Sequence, residues 1–385
     1  MKKVIYVDNN ATTQVAPEVF EAMRPFFTER YGNPSSMHAF GGEIYNNIER
    51  SREAVADLLG ASDASEIIFN SCGTESDSTA IMSTLHSYPE KKHIITTKVE
   101  HPAVLNVCKY LEASGYRVTY LGVDGEGMID LTELKNSIDQ DTAIISIMYA
   151  NNETGVIFPI EEIAEIARTR GVIFHTDAVQ AVGKIPFKLT DLSLDLLSLS
   201  GHKLHAPKGI GALYVRKGTR FTPFLMGGHQ EHGRRGGTEN VPYIVGLGVA
   251  CQLAKETIEE ERLRIKALRD KLENAILEKV PNTKINGHPE LRLPNTTNIG
   301  FEFIEGEAIL LKLDEKGIAA SSGSACTSGS LTPSHVLRAM GIPFTFVQGS
   351  IRFSLSRYNT GKDIDYIIEN LPAIIKRLRE ISPYK

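Results

Sequence analysis

The sequence has no excess of basic residues, no apolar run of membrane-spanning length and no C-x-x-C cysteine pair. Its 42 Lys and Arg residues against 47 Asp and Glu residues give a formal net charge of −5. Because no basic arm or stripe is present either, we expect no nucleic-acid partner. Without a spanning segment or a signal-peptide core behind Met1, we expect a cytoplasmic protein with no membrane association.

Four cysteines are present, and they lie far apart: Cys72, Cys108, Cys251 and Cys326. In a reducing compartment such cysteines are expected to be free thiols. Cys326 differs from the others because Ser, Thr and Gly surround it over residues 321–330. Small residues give a segment reach rather than packing, so this thiol is expected to be accessible. A tolerated surface cysteine is the alternative.

The 385 residues are enough for a large domain and a smaller one. Continuous apolar runs typical of buried strands recur at 67–69, 93–97, 118–121, 143–148, 172–175, 194–199 and 212–215. Helical periodicity separates most of them, which predicts an α/β fold with a mostly parallel seven-stranded sheet between helices.

A long amphipathic helix predicted over 256–280 carries the chain out of this large domain. Beyond it the pattern alternates between strand-like and helical segments, at 297–303, 306–316, 349–354 and from 363 onward. This composition indicates a small α+β domain. We therefore predict a large domain over 15–256 and a small domain built from 1–14 and 257–385.

Lys203 lies between an apolar strand-like run and a glycine-rich turn, with Ser200 and His202 beside it. A lysine at the end of a buried strand suits an amine whose pKa must fall so that it can form a Schiff base. The two neighbouring side chains can both bind phosphate. An ordinary surface lysine in a loop is the alternative.

The segment 71–76 follows a predicted strand and opens a helix. A small-residue turn at a helix start offers backbone N–H groups and a favourable dipole to a phosphate. Gly73 allows close approach, and Thr74 adds a hydroxyl group. An ordinary helix N-cap without any ligand explains the same residues.

Asp177 and His101 each follow a predicted strand. Ligands of open α/β sheets bind beyond the carboxyl ends of the strands, so both side chains are candidates for one site. A carboxylate such as Asp177 can keep a pyridinium nitrogen protonated. His101 precedes Pro102, which holds it in an extended conformation where its ring could lie flat on a planar cofactor or move protons.

Arg352 lies inside an alternating strand-like run over 350–354, where a bidentate partner such as a substrate carboxylate is expected. A zinc site is a competing interpretation, because His202 with His205 and His229 with His232 have suitable spacings. Neither pair has a recognisable metal-site scaffold, so this interpretation is the weaker one.

Together these residues resemble the NifS/IscS-type cysteine desulfurases, class V aminotransferase-like enzymes of pyridoxal phosphate (PLP) fold type I. The resemblance covers essentially the whole chain, from the motifs at 6–13 and 31–36 to the motif at 354–360. It implies that Lys203 forms the Schiff base with PLP, that Asp177 pairs with the pyridine nitrogen and that His101 stacks on the ring. It implies further PLP contacts from Gly73, Thr74, Asn152, Gln180, Ser200 and His202.

The resemblance also implies a homodimer, because Thr238 reaches the phosphate of the neighbouring subunit in this family. The substrate would be L-cysteine, with Asn152 and Arg352 as substrate-binding residues. Cys326 would accept the sulfur as a persulfide and pass it to an iron–sulfur scaffold protein or another acceptor. In some members the same cysteine also holds an iron–sulfur cluster jointly with the scaffold.

Three alternatives stay open from the sequence. A selenocysteine lyase or a PLP-dependent class V transaminase would use the same fold, although a transaminase has no need of a cysteine like Cys326. A non-catalytic partner that binds scaffold and cluster through Cys326 would need none of Lys203, Asp177 and His101.

Overall fold

Strands and helices alternate along most of the chain in the computed structural model, which describes residues 4–322 and 333–383. The strands are β1 (Ile5–Tyr6), β2 (Ile67–Asn70), β3 (His93–Thr97), β4 (Arg117–Leu121), β5 (Thr142–Ser146), β6 (Ile173–Asp177), β7 (Leu196–Ser200), β8 (Gly211–Val215), β9 (Thr283–Ile285), β10 (Thr296–Phe301), β11 (Ile318–Ala319) and β12 (Ser350–Ser354). The helices are α1 (Pro17–Met23), α2 (Pro25–Thr28), α3 (Ala39–Leu59), α4 (Gly73–Ser87), α5 (Pro102–Ala113), α6 (Leu131–Ser137), α7 (Ile160–Arg170), α8 (Val241–Lys279), α9 (Gly306–Glu315), α10 (His335–Ala339), α11 (Phe344–Val347) and α12 (Gly361–Ile381).

A seven-stranded sheet has the order β2-β8-β7-β6-β5-β3-β4. Strand β8 runs antiparallel to both of its neighbours, and the other pairs are parallel. The prediction of a mostly parallel seven-stranded α/β sheet is confirmed. Each predicted apolar run coincides with one of these strands, with ends that differ by up to two residues.

Helices cover both faces of this sheet. Helices α4 and α5 pack on one face through residues such as Ile81 and Val104, which share a core with Ile94 and Ile144 of the strands. Helices α3, α7 and α8 lie on the other face in a separate, larger core. Because the strands are buried on both sides, their sequences read as continuous apolar runs.

The long helix predicted over 256–280 begins much earlier, at Val241, and extends for 39 residues. Its first half is missing from the prediction because it is apolar on several faces and packs against α3, so it has no amphipathic pattern. A Cβ on Gly248 would lie 2.7 Å from Cα of Ser51, which shows how closely the two helices approach.

A second, three-stranded antiparallel sheet has the order β12-β10-β9. It packs against the end of α8 and against α9 and α12 in a core of its own, which also includes Val7. The division between large and small domains, predicted at 256, falls inside α8. A few side chains from beyond that point, among them Leu293 and Val336, pack in the larger core. The domain boundaries themselves stay a prediction.

No helix among residues 4–322 and 333–383 is long and apolar enough to cross a membrane.

His175 lies fully buried in the middle of β6, between two serine hydroxyls. Its Nδ1 lies 2.9 Å from Oγ of Ser146, and its Nε2 lies 2.9 Å from Oγ of Ser198. Burial lowers the pKa of this imidazole from 6.5 to about 3. The carboxyl of Asp77 lies 3.6 Å from Nε2, yet the two do not form an ion pair, because burial favours the neutral form of each.

We predict that His175 makes the fold acid-sensitive. The unfolded chain binds a proton here below about pH 6.5 and the folded chain does not, so stability is lost as the pH falls through that value. Between pH 7 and pH 5 the wild-type chain should lose about 2 kcal/mol of unfolding free energy relative to His175→Gln, at ~1.4 kcal/mol per pH unit. Urea titrations at both pH values measure this, with the exposed His86→Gln as control. Equal losses in wild type and His175→Gln would contradict the prediction.

Candidate active site

A cavity of about 270 Å³ lies beyond the carboxyl ends of β2, β3, β6 and β7. The sequence analysis predicted the site at this edge of the sheet. The predicted residues that line it are Gly73, Thr74, His101, Asn152, Asp177, Gln180, Ser200, His202, Lys203 and Arg352. The structure also brings in Asn10, Ala11, Cys72, Asp77, Met148 and Val179, to which the sequence analysis gave no role.

Lys203 ends a 3-10 turn, Gly201–Lys203, that follows β7 directly. Its Nζ donates hydrogen bonds to the backbone carbonyl oxygens of Asn10, at 2.5 Å, and Ala11, at 2.7 Å. The N-terminal segment therefore holds the amine at the cavity wall. This contact joins residues almost two hundred positions apart.

Asn10 connects the N-terminal segment to both sheets through hydrogen bonds. Its carbonyl oxygen also accepts a hydrogen bond from Nε2 of Gln180 at 3.0 Å. Its buried side chain donates to Oγ1 of Thr296 at 2.8 Å and accepts from Nδ2 of Asn295 at 3.0 Å. The wall around Lys203 is thus fixed from the second sheet as well as from the large sheet. No local pattern in the sequence could have revealed these partners.

The N-terminus of α4 forms one end of the cavity. This helix begins at Gly73, and a Cβ there would lie 2.9 Å from Cγ2 of Val179 and 3.9 Å from Oγ of Ser200. A larger residue would therefore crowd Val179, and glycine keeps the space beside Ser200 open. Backbone N–H groups of a first helical turn and a positive dipole end favour an anion. The opening between Gly73, Thr74 and Ser200 therefore suits a phosphate group.

Asp177 ends β6, and its Oδ1 accepts a hydrogen bond from the N–H of Val179 at 2.9 Å. Burial raises the pKa of this carboxyl to about 6, while the Val179 N–H and the positive charge of Lys203 act in the opposite direction. Asp177 is therefore mostly ionised at neutral pH. A buried carboxylate of this kind suits a cationic ring nitrogen.

Asp77 is a second buried carboxyl at the cavity. Burial, together with the neighbouring charge of Asp177, raises its pKa well above the usual range. Its Oδ1 has no hydrogen-bond partner within the described part of the chain. The sequence offered one signal for this residue, since it lies four positions after Gly73 and so on the same face of α4.

The histidines at the site are neutral at physiological pH. His101 caps α5, and its Nδ1 accepts a hydrogen bond from the N–H of Ala103 at 3.1 Å. Burial, aided by the charge of Lys203, lowers the pKa of His101 to about 4. The same causes, in the same order, lower the pKa of His202 to about 4. Because Nδ1 of His101 is an acceptor, its proton is carried by Nε2.

Arg352 lies in β12 with only 3% of its side chain exposed. One terminal nitrogen donates to Oδ1 of Asp8 at 2.6 Å, and the other donates to the carbonyl of Asn152 at 2.9 Å. Its Nε is buried without a hydrogen-bond partner in the described residues. The guanidinium is thus held rigidly at the cavity with unused donor capacity, as binding of a carboxylate requires. The contact with Asp8 was not predicted.

Among the predicted site residues that the structure describes, Thr238 does not line this cavity. Thr238 is exposed and lines a separate depression together with Ser71 and Arg235. Cys326 lies outside the described residues.

The zinc interpretation gains no support from the histidine partners. Nδ1 of His202 lies 3.1 Å from Oγ1 of Thr12, and Nδ1 of His205 lies 2.8 Å from the carbonyl of Gln14. Across 4–322 and 333–383, no group of three or more His, Cys, Asp or Glu side chains is arranged to hold a metal ion.

Comparisons with known proteins agree with this geometry. The family model described as aminotransferase class-V matches residues 5–367. A cysteine desulfurase of Trichormus azollae is 63% identical over 382 residues, covering 99% of this chain and 95% of the relative. The cysteine desulfurase NifS of Azotobacter vinelandii is 58% identical over 380 residues, which cover 99% of this chain and 94% of the relative.

Solved structures give the same result. A NifS-like protein aligns with a TM-score of 0.92 at 41% identity, covering 98% of this chain and 100% of its own. A NifS-like protein from Rickettsia africae ESF-5 aligns with a TM-score of 0.87 at 35% identity, and the alignment covers 97% of this chain and 100% of the Rickettsia chain. The chain therefore belongs to the class-V aminotransferase family and, within it, to the cysteine desulfurases.

Proposed function

We propose that this chain binds PLP in the cavity around Lys203 and removes sulfur from L-cysteine, giving L-alanine and a persulfide on Cys326. The observation that carries the proposal is the placement of Lys203 in one cavity with the buried carboxylate of Asp177 and the helix N-terminus at Gly73. An amine, an acid and an anion site are the groups that PLP needs.

The residues present fit PLP. The opening at Gly73 and Thr74, with Ser200 and His202 beside it, would hold the phosphate. Asp177 would pair with the ring nitrogen. Side chains for the remaining contacts also line the cavity, with Gln180 and Asn152 assigned to the ring oxygen and His101 to the ring face. When bound, PLP supplies an electron sink that stabilises negative charge at the substrate carbon.

The chain's own groups would then bind L-cysteine and move its protons. Arg352 would bind the substrate carboxylate, since its Nε is unused and its other nitrogens are fixed by Asp8 and Asn152. Lys203 would bind PLP covalently and afterwards transfer the proton of the substrate α-carbon. His101, neutral and protonated on Nε2, could give or take a proton at the cavity wall.

The sulfur step is assigned to Cys326. Its thiolate would attack the substrate sulfur, so that an S–S bond forms and the substrate C–S bond breaks. The substrate carbon keeps the electron pair and takes a proton, which yields L-alanine, and no external oxidant or reductant is needed. The persulfide would pass to an iron–sulfur scaffold protein or another sulfur acceptor in the cytoplasm. A second role proposed for Cys326 is to share an iron–sulfur cluster with the scaffold.

We predict that Cys326→Ala loses at least about a hundredfold in sulfide release from L-cysteine with dithiothreitol, because no thiol remains to take the sulfur. The variant should still bind PLP with the affinity and visible spectrum of the wild-type protein. Ser324→Ala, two residues away, is the control for disturbance of the segment.

Unchanged sulfide release by Cys326→Ala would contradict the persulfide step. Turnover of selenocysteine but not of cysteine by the wild-type protein would favour a selenocysteine lyase. Amino transfer to a keto acid without sulfide release would favour a transaminase. Purified protein that takes up no PLP would favour a non-catalytic scaffold partner.

We further propose a homodimer in which Thr238 serves the site of the partner subunit. Thr238 is exposed and lies outside its own chain's cavity, which supports a role in another subunit's site. Large apolar side chains are exposed together along α2 and α3 and the turn between them, as expected of a surface that another molecule covers. They are Phe27, Tyr31, Met37, Phe40 and Tyr45.

Mixed dimers test this arrangement. Lys203→Ala and Thr238→Val homodimers should each be impaired, Thr238→Val by about tenfold for one lost phosphate hydrogen bond. A dimer with one subunit of each kind has one site with both defects and one site with neither. Purified through two affinity tags, it should recover about half of the wild-type activity. Activity equal to the mean of the two homodimers would instead place Thr238 in its own subunit's site.

A further inference from the structure

Lys184 lies four residues after Gln180, in the segment that follows β6. Its Nζ donates a hydrogen bond to Oε1 of Gln180 at 2.6 Å and another to Oδ1 of Asn10 at 3.3 Å. Lys184 does not itself line the cavity, whereas both of its partners do. It therefore lies immediately behind the cavity wall.

The ammonium group of Lys184 and the carbonyl of Asn10 together determine how the carboxamide of Gln180 is turned. A lysine only donates, so the oxygen of the carboxamide must face it. The nitrogen of the carboxamide is then directed to the opposite side, where Nε2 donates to the carbonyl of Asn10 at 3.0 Å. Nε2 has a second hydrogen, which stays available for an acceptor in the cavity.

Lys184 also lies close to two other positively charged side chains, Lys203 and Arg352. Burial lowers the pKa of Lys184 well below its usual range, and the nearby charges of Lys203 and Arg352 act in the same direction. Two carboxamide oxygens accept hydrogen bonds from the group, a short one at Gln180 and a longer one at Asn10. A half-buried cation held by two groups that line the cavity indicates a role beyond solubility.

We propose that Lys184 is a positioning residue, which orients the carboxamide of Gln180 so that its second N–H points at the ring oxygen of bound PLP. The inference rests on the proposed function, since it needs PLP in the cavity. Lys184 acts through Gln180 and does not touch PLP. A hydrogen bond to the ring oxygen changes both the affinity for PLP and its electronic spectrum, so both quantities report on this role.

The test compares full-length Lys184→Met, Lys184→Arg and wild-type protein. In Lys184→Met we expect a shifted visible absorption maximum of bound PLP and about tenfold weaker PLP binding by the apoprotein. Lys184→Arg keeps a donor that reaches Gln180 and should restore both quantities. The exposed Lys188→Met is the matched control and should behave like wild type.

A double mutant separates positioning from a general structural role. In a Gln180→Ala background, Lys184→Met should change the affinity for PLP by less than about twofold, because the group it orients is gone. If Lys184→Met alone does not fold, the shorter Lys184→Gln takes its place in both backgrounds.

A wild-type spectrum and affinity in Lys184→Met would overturn this inference alone, and so would a full tenfold effect that persists in Gln180→Ala. Wild-type protein that binds no PLP would overturn the proposed function as well.

Discussion

The site depends on the contact between the N-terminal segment at Asn10 and Ala11 and the end of β7, where both carbonyls accept hydrogen bonds from the amine of Lys203. Asn10 in turn binds Thr296 and Asn295 next to the second sheet, and Gln180 beyond β6. One short segment therefore sets the position of the amine relative to both sheets, and the cavity takes its shape from where that segment lies.

Burial then decides the charge of each group around the amine. It keeps His101 and His202 neutral, raises the pKa of the Asp177 carboxyl and leaves Arg352 with a donor that no described residue uses. The result is a small cavity with a carboxylate at one side and N–H donors at the other. Electrostatic interactions in such a volume are stronger than in water, so a zwitterionic ligand with a phosphate gains most from it.

The sequence was sufficient to predict the large sheet and most of the side chains that line the cavity, because buried parallel strands have continuous apolar sequences and their carboxyl ends converge. Residues such as Lys203 and Asp177 could therefore be placed from local patterns. The first half of α8 was missed because a helix buried on several faces has no amphipathic signal. Asn10, Asp77 and Lys184 were given no role because contacts distant in the chain assemble their surroundings. The role proposed for Cys326 is supported by the sequence and by the family alone.

The central claim is that Lys203 is the residue that binds PLP covalently in a cysteine desulfurase. Borohydride reduction of the PLP-loaded protein, followed by peptide mass mapping, tests it most directly. The account predicts a pyridoxyl group on the peptide that contains Lys203 and on no other lysine. A pyridoxyl group on Lys184, the neighbouring lysine behind the wall, or on no peptide at all would contradict it.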